Sequence, residues 1–195
     1  MIGIAFAALV GYLLGALSPA TLFARRAGAD LRASGSGNPG ATNVGRVLGR
    51  RAGVTVALLD VAKGYVPALL FSSLVSHRAG LAAGLAAVLG HITSPYLRGH
   101  GGKGVATAGG AVLGSHPLWA PFVLASWVVV VLATRWIALG SVCAAAVLPV
   151  VALVTGASGA DVAWACGIAL VVIARHRRNF VHRFRRRPPS TDPLP

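Results

Sequence analysis

Long apolar runs alternate with short polar or glycine-rich joints along the whole chain. The runs fall at roughly 2 to 24, 53 to 75, 79 to 97, 104 to 116, 118 to 133, 136 to 156 and 161 to 175. Most approach the ~17 to 25 residues that carry a helix across a bilayer. The fourth is short for an unaided crossing and the boundaries there are soft, which leaves five or six spans with a re-entrant segment as the alternative. The pattern predicts an all-α integral membrane protein of about seven transmembrane helices. With no internal repeat or linker in view, residues 1–184 are expected to form a single transmembrane domain, followed by a mobile basic, proline-rich tail at 185–195.

Composition supports the membrane reading. Hydrophobic residues make up 55% of the chain and charged ones 11%, too few to cover a water-exposed surface. The net charge of +14 comes from 18 Lys and Arg against 4 acids. Those acids are Asp30, Asp60, Asp161 and Asp192, so the chain has no Glu, and Lys63 and Lys103 are its only lysines.

Basic residues gather at the ends of apolar spans rather than on a separate folded domain, which argues against nucleic acid as a partner. An external N-terminus with seven crossings puts Arg25 to Arg51, Arg98 with Lys103, Arg135, and Arg175 to Arg187 on the cytoplasmic side. Only Arg78 is left outside, and the C-terminus is cytoplasmic. Ala16 to Ala20 contain small residues suited to signal cleavage, yet no Lys or Arg precedes the first run, so it reads as an uncleaved span. Cys143 and Cys166 lie in apolar runs without His or Asp at ligand spacing and read as packing thiols.

The same topology brings three polar segments to one face. The first is Gly35-Ser36-Gly37-Asn38-Pro39-Gly40-Ala41-Thr42-Asn43 with Arg46, where glycines allow close backbone approach and successive amides can cradle an anion. It satisfies G-x-G-x-x-G in form, but an apolar span precedes it and Asp60 lies within another, so a dinucleotide fold does not fit. A flexible spacer would not need Asn38, Thr42, Asn43 and Arg46.

The second segment is Gly99-His100-Gly101-Gly102-Lys103-Gly104. It is not a Walker motif, since Gly104 stands where Ser or Thr would hold magnesium, but glycines around a mobile ammonium suit phosphate. A plain interfacial lysine is the blander reading. The third pairs His176 with Asn179, three residues apart where the last run ends. His91 follows Gly90 near the end of the third run, whereas His77, His116 and His182 have no comparable context. Asp60 and Lys63 share a helical face inside an apolar span, where pairing offsets the penalty of burial. They either lock helices together or shape a polar cavity. No H-E-x-x-H, Cys/His cluster or acidic pair is present, and neither a metal nor a cofactor is expected.

In this order the four segments, Gly35 to Asn43 with Arg46, Asp60-x-x-Lys63-Gly64, Gly90-His91 with Gly101-Gly102-Lys103-Gly104-Val105-Ala106-Thr107, and His176-x-x-Asn179, resemble the bacterial acyl-phosphate-dependent glycerol-3-phosphate acyltransferases, the PlsY family. The chain departs from the family pattern at Pro95, at Gly99 and His100, and at His182 with Arg183. The resemblance implies a multi-pass inner-membrane enzyme with a cytoplasmic active site. It would transfer a fatty acyl group from acyl phosphate to the 1-hydroxyl of glycerol 3-phosphate, giving lysophosphatidate and inorganic phosphate in the first acylation of phospholipid synthesis.

An activated acyl phosphate requires two bound anions and an aligned hydroxyl rather than a metal or a covalent nucleophile. The expected catalytic residues are therefore Ser36, Lys103, His176 and Asn179. Arg46, Asn38, Thr42, Asn43, His91 and glycines 37, 40, 101, 102 and 104 are expected to bind phosphate, with Asp60 and Lys63 in support. The expected partners are the two substrates and membrane lipids, for a monomeric protein. An acyl-CoA enzyme is disfavoured because neither His91 nor His176 begins an H-x-x-x-x-D motif. A transporter is disfavoured because the polar residues lie at one interface, without the repeats that frame a midplane site.

Overall fold

The computed structural model describes residues 1–185, with side chains through Val181; the tail beyond, and the side chains of His182 and Arg183, lie outside the described residues. Among the described residues are nine α-helices. They are α1 (Ile2–Ala16), α2 (Pro19–Arg26), α3 (Ala41–Val47), α4 (Arg50–Leu74), α5 (His77–Thr93), α6 (Val105–Ser115), α7 (Ala120–Thr134), α8 (Ile137–Val154) and α9 (Gly159–Arg185). The all-α membrane architecture holds, with the seven apolar runs divided by length. Ile2–Arg26, Arg50–Leu74, His77–Leu97, Ile137–Val154 and Gly159–Val181 are long and apolar enough to cross a bilayer, whereas α6 and α7 are shorter. The 11 residues of α6 rise only ~16 Å of a hydrocarbon layer about 30 Å thick.

The first apolar run is broken in the middle. Ser18 precedes Pro19, which disfavours helical backbone at the residue before it, and adopts φ −115° and ψ 92° while its hydroxyl caps the Thr21 amide. The break frees carbonyls that hydrocarbon cannot solvate. Ser94 Oγ donates to Ala16 O at 2.6 Å, and Lys63 Nζ donates to Leu17 O at 2.6 Å. Two later helices thereby hold the kink in place.

Small residues bring neighbouring helices close together. A Cβ on Gly15 would overlap the Ala87 carbonyl, one on Gly64 the Thr107 carbonyl, and one on Gly110 the Val61 carbonyl. These are backbone atoms that cannot rotate away, so α1 meets α5 and α4 meets α6 at near-backbone contact, as small-residue seams allow in membranes. The register runs parallel in both pairs, since Gly11 and Gly15 face Ala83 and Ala87 while Gly64 and Gly114 face Thr107 and Tyr65. Trp164 Nε1–H donates to Leu81 O at 2.8 Å, tying α9 to the start of α5. The main core, around Val88, Ile92, Val112, Leu148 and Ile168, lies where α5, α6, α8 and α9 meet.

Candidate active site

The three polar segments meet at one end of the bundle. Asn43, almost completely buried on α3, organises the first. Its Oδ1 accepts from the Ser36 amide at 2.7 Å, and its Nδ2 donates to Leu31 O and Ser34 O, both at 3.1 Å. This closes the loop with Gly35 and Gly37 at positive φ. The Ser36 side chain faces outward, as do Thr42 and Arg46, with Asn38 half-buried. The acid nearest this loop, Asp30, is turned onto the Arg32 and Ala33 amides. Arg32 Nη2 reaches across to Leu97 O at 3.1 Å, joining the first segment to the second.

The second segment lies over His91. The Gly101 amide donates to Ile92 O at 3.0 Å and the Gly102 amide to His91 O at 3.2 Å. A side chain at Gly102 would run into the His91 imidazole. His91 itself is buried, its Nδ1 3.6 Å from Asp60 Oδ1, so it supports the loop from behind. Lys103 leaves this platform half-buried, just before Gly104, whose φ of 82° starts α6. The first amides of that helix have no intrahelical acceptor.

The third segment is tied to the second. Arg175, which the sequence reading placed only within a basic cluster, donates from Nη2 to Gly101 O at 3.2 Å and Gly102 O at 3.3 Å. Beside it His176 is 3% exposed and makes a 2.8 Å hydrogen bond from Nδ1 to Val172 O. A carbonyl can only accept, so the proton sits on Nδ1 and Nε2 retains its lone pair. Asn179 follows one turn later, half-buried.

The electrostatics single out Lys103. Burial, and then the positive charges of Arg46 and Arg175, hold its ammonium below the usual lysine range. Three unlike elements thus bring positive charge within electrostatic reach of Lys103, and among the described residues no carboxylate is paired with it, an arrangement that an anion relieves. Lys63 is different. Its ammonium is 2.9 Å from Asp60 Oδ1 and also donates to Leu17 O, so the pair ties α4 to the kink that follows α1.

Several glycine amides are engaged within the chain. Besides Gly101 and Gly102, Gly37 N–H donates to Ser34 O at 3.2 Å and Gly40 N–H to Asn38 O at 2.9 Å. These amides are taken up by neighbouring carbonyls, whereas Arg46 and Lys103 keep their cationic groups on the same end of the bundle.

A bundle of apolar helices carrying a compact cationic site at one end, with an imidazole nitrogen free to accept, defines a multi-pass membrane protein built to handle an anionic ligand. The family pattern of glycerol-3-phosphate acyltransferase matches residues 5–186, and the chain belongs to that family. The glycerol-3-phosphate acyltransferase of Geobacter sulfurreducens is 44% identical over 87% of this chain and 88% of its own; that of Aquifex aeolicus is 39% identical over 89% and 92%. The crystal structure of PlsY (YgiH), an integral membrane glycerol 3-phosphate acyltransferase, in its glycerol 3-phosphate form, superposes with a TM-score of 0.89 at 37% identity, covering 93% of this chain and 92% of that one. Its lysophosphatidic acid form gives 0.87 at 36% identity. The chain is accordingly an acyltransferase of phospholipid synthesis.

Proposed function

We propose that the protein acylates the 1-hydroxyl of glycerol 3-phosphate using acyl phosphate, giving lysophosphatidate and inorganic phosphate at the cytoplasmic face of the bacterial inner membrane. The observation that carries this reading is the convergence at one end of the bundle of the Gly101-Gly102-Lys103 loop, held by Arg175, with Arg46 within electrostatic reach of Lys103 and the His176 imidazole bonded through Nδ1 so that Nε2 can accept. Both substrates bring phosphate, and each relieves the repulsion among the three cations. Ser36, Asn38 and Thr42 border the acceptor, Asn43 fixes their loop, and Asn179 aligns the glycerol. The acyl chain reaches the site from the lipid side between helices.

In the reaction the glycerol hydroxyl oxygen forms a bond to the acyl carbonyl carbon as the carbon–oxygen bond to phosphate breaks. Lys103 and Arg46 stabilise the charge gathering on the departing phosphate. The hydroxyl proton leaves for His176 Nε2 or for a phosphate oxygen. His176→Gln separates these routes: loss of turnover with acyl-phosphate binding intact supports proton acceptance by the imidazole, while loss of both excludes a purely basic role. The function is tested by giving the purified protein labelled glycerol 3-phosphate with either acyl phosphate or acyl-CoA. Lysophosphatidate is expected with acyl phosphate. Its formation only from acyl-CoA, or from neither donor by folded protein, would overturn the proposal.

A further inference from the structure

At the end of the bundle remote from Lys103, three side chains converge. His77 opens α5, about 21 Å along the helix axis from His91. His116 follows α6, and Asp161 lies in the first turn of α9. His77 Nε2 is 2.6 Å and His116 Nε2 3.1 Å from the same oxygen, Asp161 Oδ1, and the three donor atoms lie within 4.8 Å of one another. The two imidazoles stand nearly at right angles, at 83°, so both direct a nitrogen to a common point without stacking.

The surroundings fix the donors. Asp161 Oδ2 is held by the Ser158 hydroxyl at 2.6 Å and the Ser158 amide at 3.2 Å, which leaves Oδ1 turned to the histidines. The His116 ring stacks on Trp119, with centroids 3.7 Å apart and planes at 9°, and Trp164 lies tilted against it at 5.4 Å. A carboxylate oriented by an outer hydrogen bond and an imidazole orientation locked by packing are the means by which proteins prepare metal ligands. The side chain of His77 is 47% exposed, so the cluster opens to water on one side.

We propose that His77, His116 and Asp161 form a binding site for a divalent d-block cation of the zinc class, three protein ligands with water in the fourth position. Two imidazoles and one carboxylate suit that cation, and tetrahedral bonds of ~2.0 to 2.2 Å separate neighbouring ligand atoms by about 3.4 Å, which the present 2.6 and 3.1 Å histidine–carboxylate distances, with all three donors within 4.8 Å, reach by shifts on the order of 1 Å. Binding replaces the protons shared between the histidines and Oδ1. It would join the starts of α5 and α9 to the α6–α7 turn, which makes it a staple at the end opposite the reaction.

The test uses the full chain, stripped with chelator and titrated with zinc by calorimetry and with cobalt(II) by visible absorption. One equivalent of zinc should bind, raise the unfolding midpoint, and give a four-coordinate cobalt spectrum. His77→Ala, at an exposed position, should weaken zinc by at least about 100-fold, more than loss of an outer-shell partner does, and abolish the metal-dependent rise in midpoint. Asp161→Asn should do the same, and His100→Ala should leave binding unchanged. Absence of stoichiometric uptake by the native chain, or uptake unaffected by His77→Ala, would overturn the proposal.

Discussion

Replacing Lys63 with Met tests how the polar groups inside the bundle are held. The substitution keeps the length of the side chain but removes an ammonium that lies 2.9 Å from Asp60 Oδ1 and 2.6 Å from Leu17 O. Two effects follow, of unequal size. Removing one partner of a buried ion pair costs up to about 3 to 5 kcal/mol, an upper figure here because His91 Nδ1 still stands 3.6 Å from Asp60 Oδ1. Losing a hydrogen bond to the Leu17 carbonyl costs less, since interhelical hydrogen bonds within membranes average ~0.6 kcal/mol and reach at most ~1.7.

Lys63→Met should therefore be several-fold more destabilising than Ser94→Ala, which removes only the bond to Ala16 O. The double variant Asp60→Leu/Lys63→Met should recover most of the loss, because apolar replacement of a buried ion pair is often neutral. The assay is reversible unfolding of the purified protein in mixed micelles. If Lys63→Met unfolds within about 1 kcal/mol of the native protein while KM for glycerol 3-phosphate rises, Lys63 is a substrate group, and the locking role assigned to it is wrong.

Gly64→Ala should destabilise by at least ~1 to 3 kcal/mol, because its methyl meets the Thr107 carbonyl. Gly109→Ala, with no atom within 4 Å of its new Cβ, should be neutral or slightly stabilising in the same unfolding assay. Arg46→Gln removes one of the charges that hold the Lys103 ammonium down. Lys103 then stays charged to higher pH, so the alkaline limb of kcat/KM should move upward even as phosphate binding weakens; a limb that stays or moves down contradicts the coupling. Arg175→Met frees the Gly101–Gly102 carbonyls and should lower kcat by about 10- to 100-fold, as misplacement of a catalytic group does, with little change in unfolding midpoint.

Apolar runs made the spans legible because hydrocarbon demands long uninterrupted hydrophobicity, and the all-helical class follows from the same demand. The break at Ser18–Pro19 was written in the residues but hidden inside a run whose hydrophobicity continues through it. Lys103, Arg46 and His176 stood out as isolated polar groups at span ends, and the structure brings them together. Arg175 did not stand out, because an arginine beside a membrane boundary is explained equally well by orientation of the span; only its reach to Gly101 and Gly102 distinguishes it. Nor can glycine in a motif say whether its amide faces a ligand or a neighbouring carbonyl. His77 and His116 stand 84 and 45 residues from Asp161, separations set by helix packing that no local spacing rule captures.

The kink in the first helix also sets an order in time. Its freed carbonyls at Leu17 and Ala16 are answered by residues 46 and 78 positions later in the chain. At a synthesis rate of roughly 5 to 20 residues per second, those partners emerge about 2 to 16 s after the carbonyls themselves. Until then the opening helix must remain near water or the insertion machinery, and cannot sink fully into lipid. The first span begins as an unfinished bend that waits at the membrane surface for the rest of the chain.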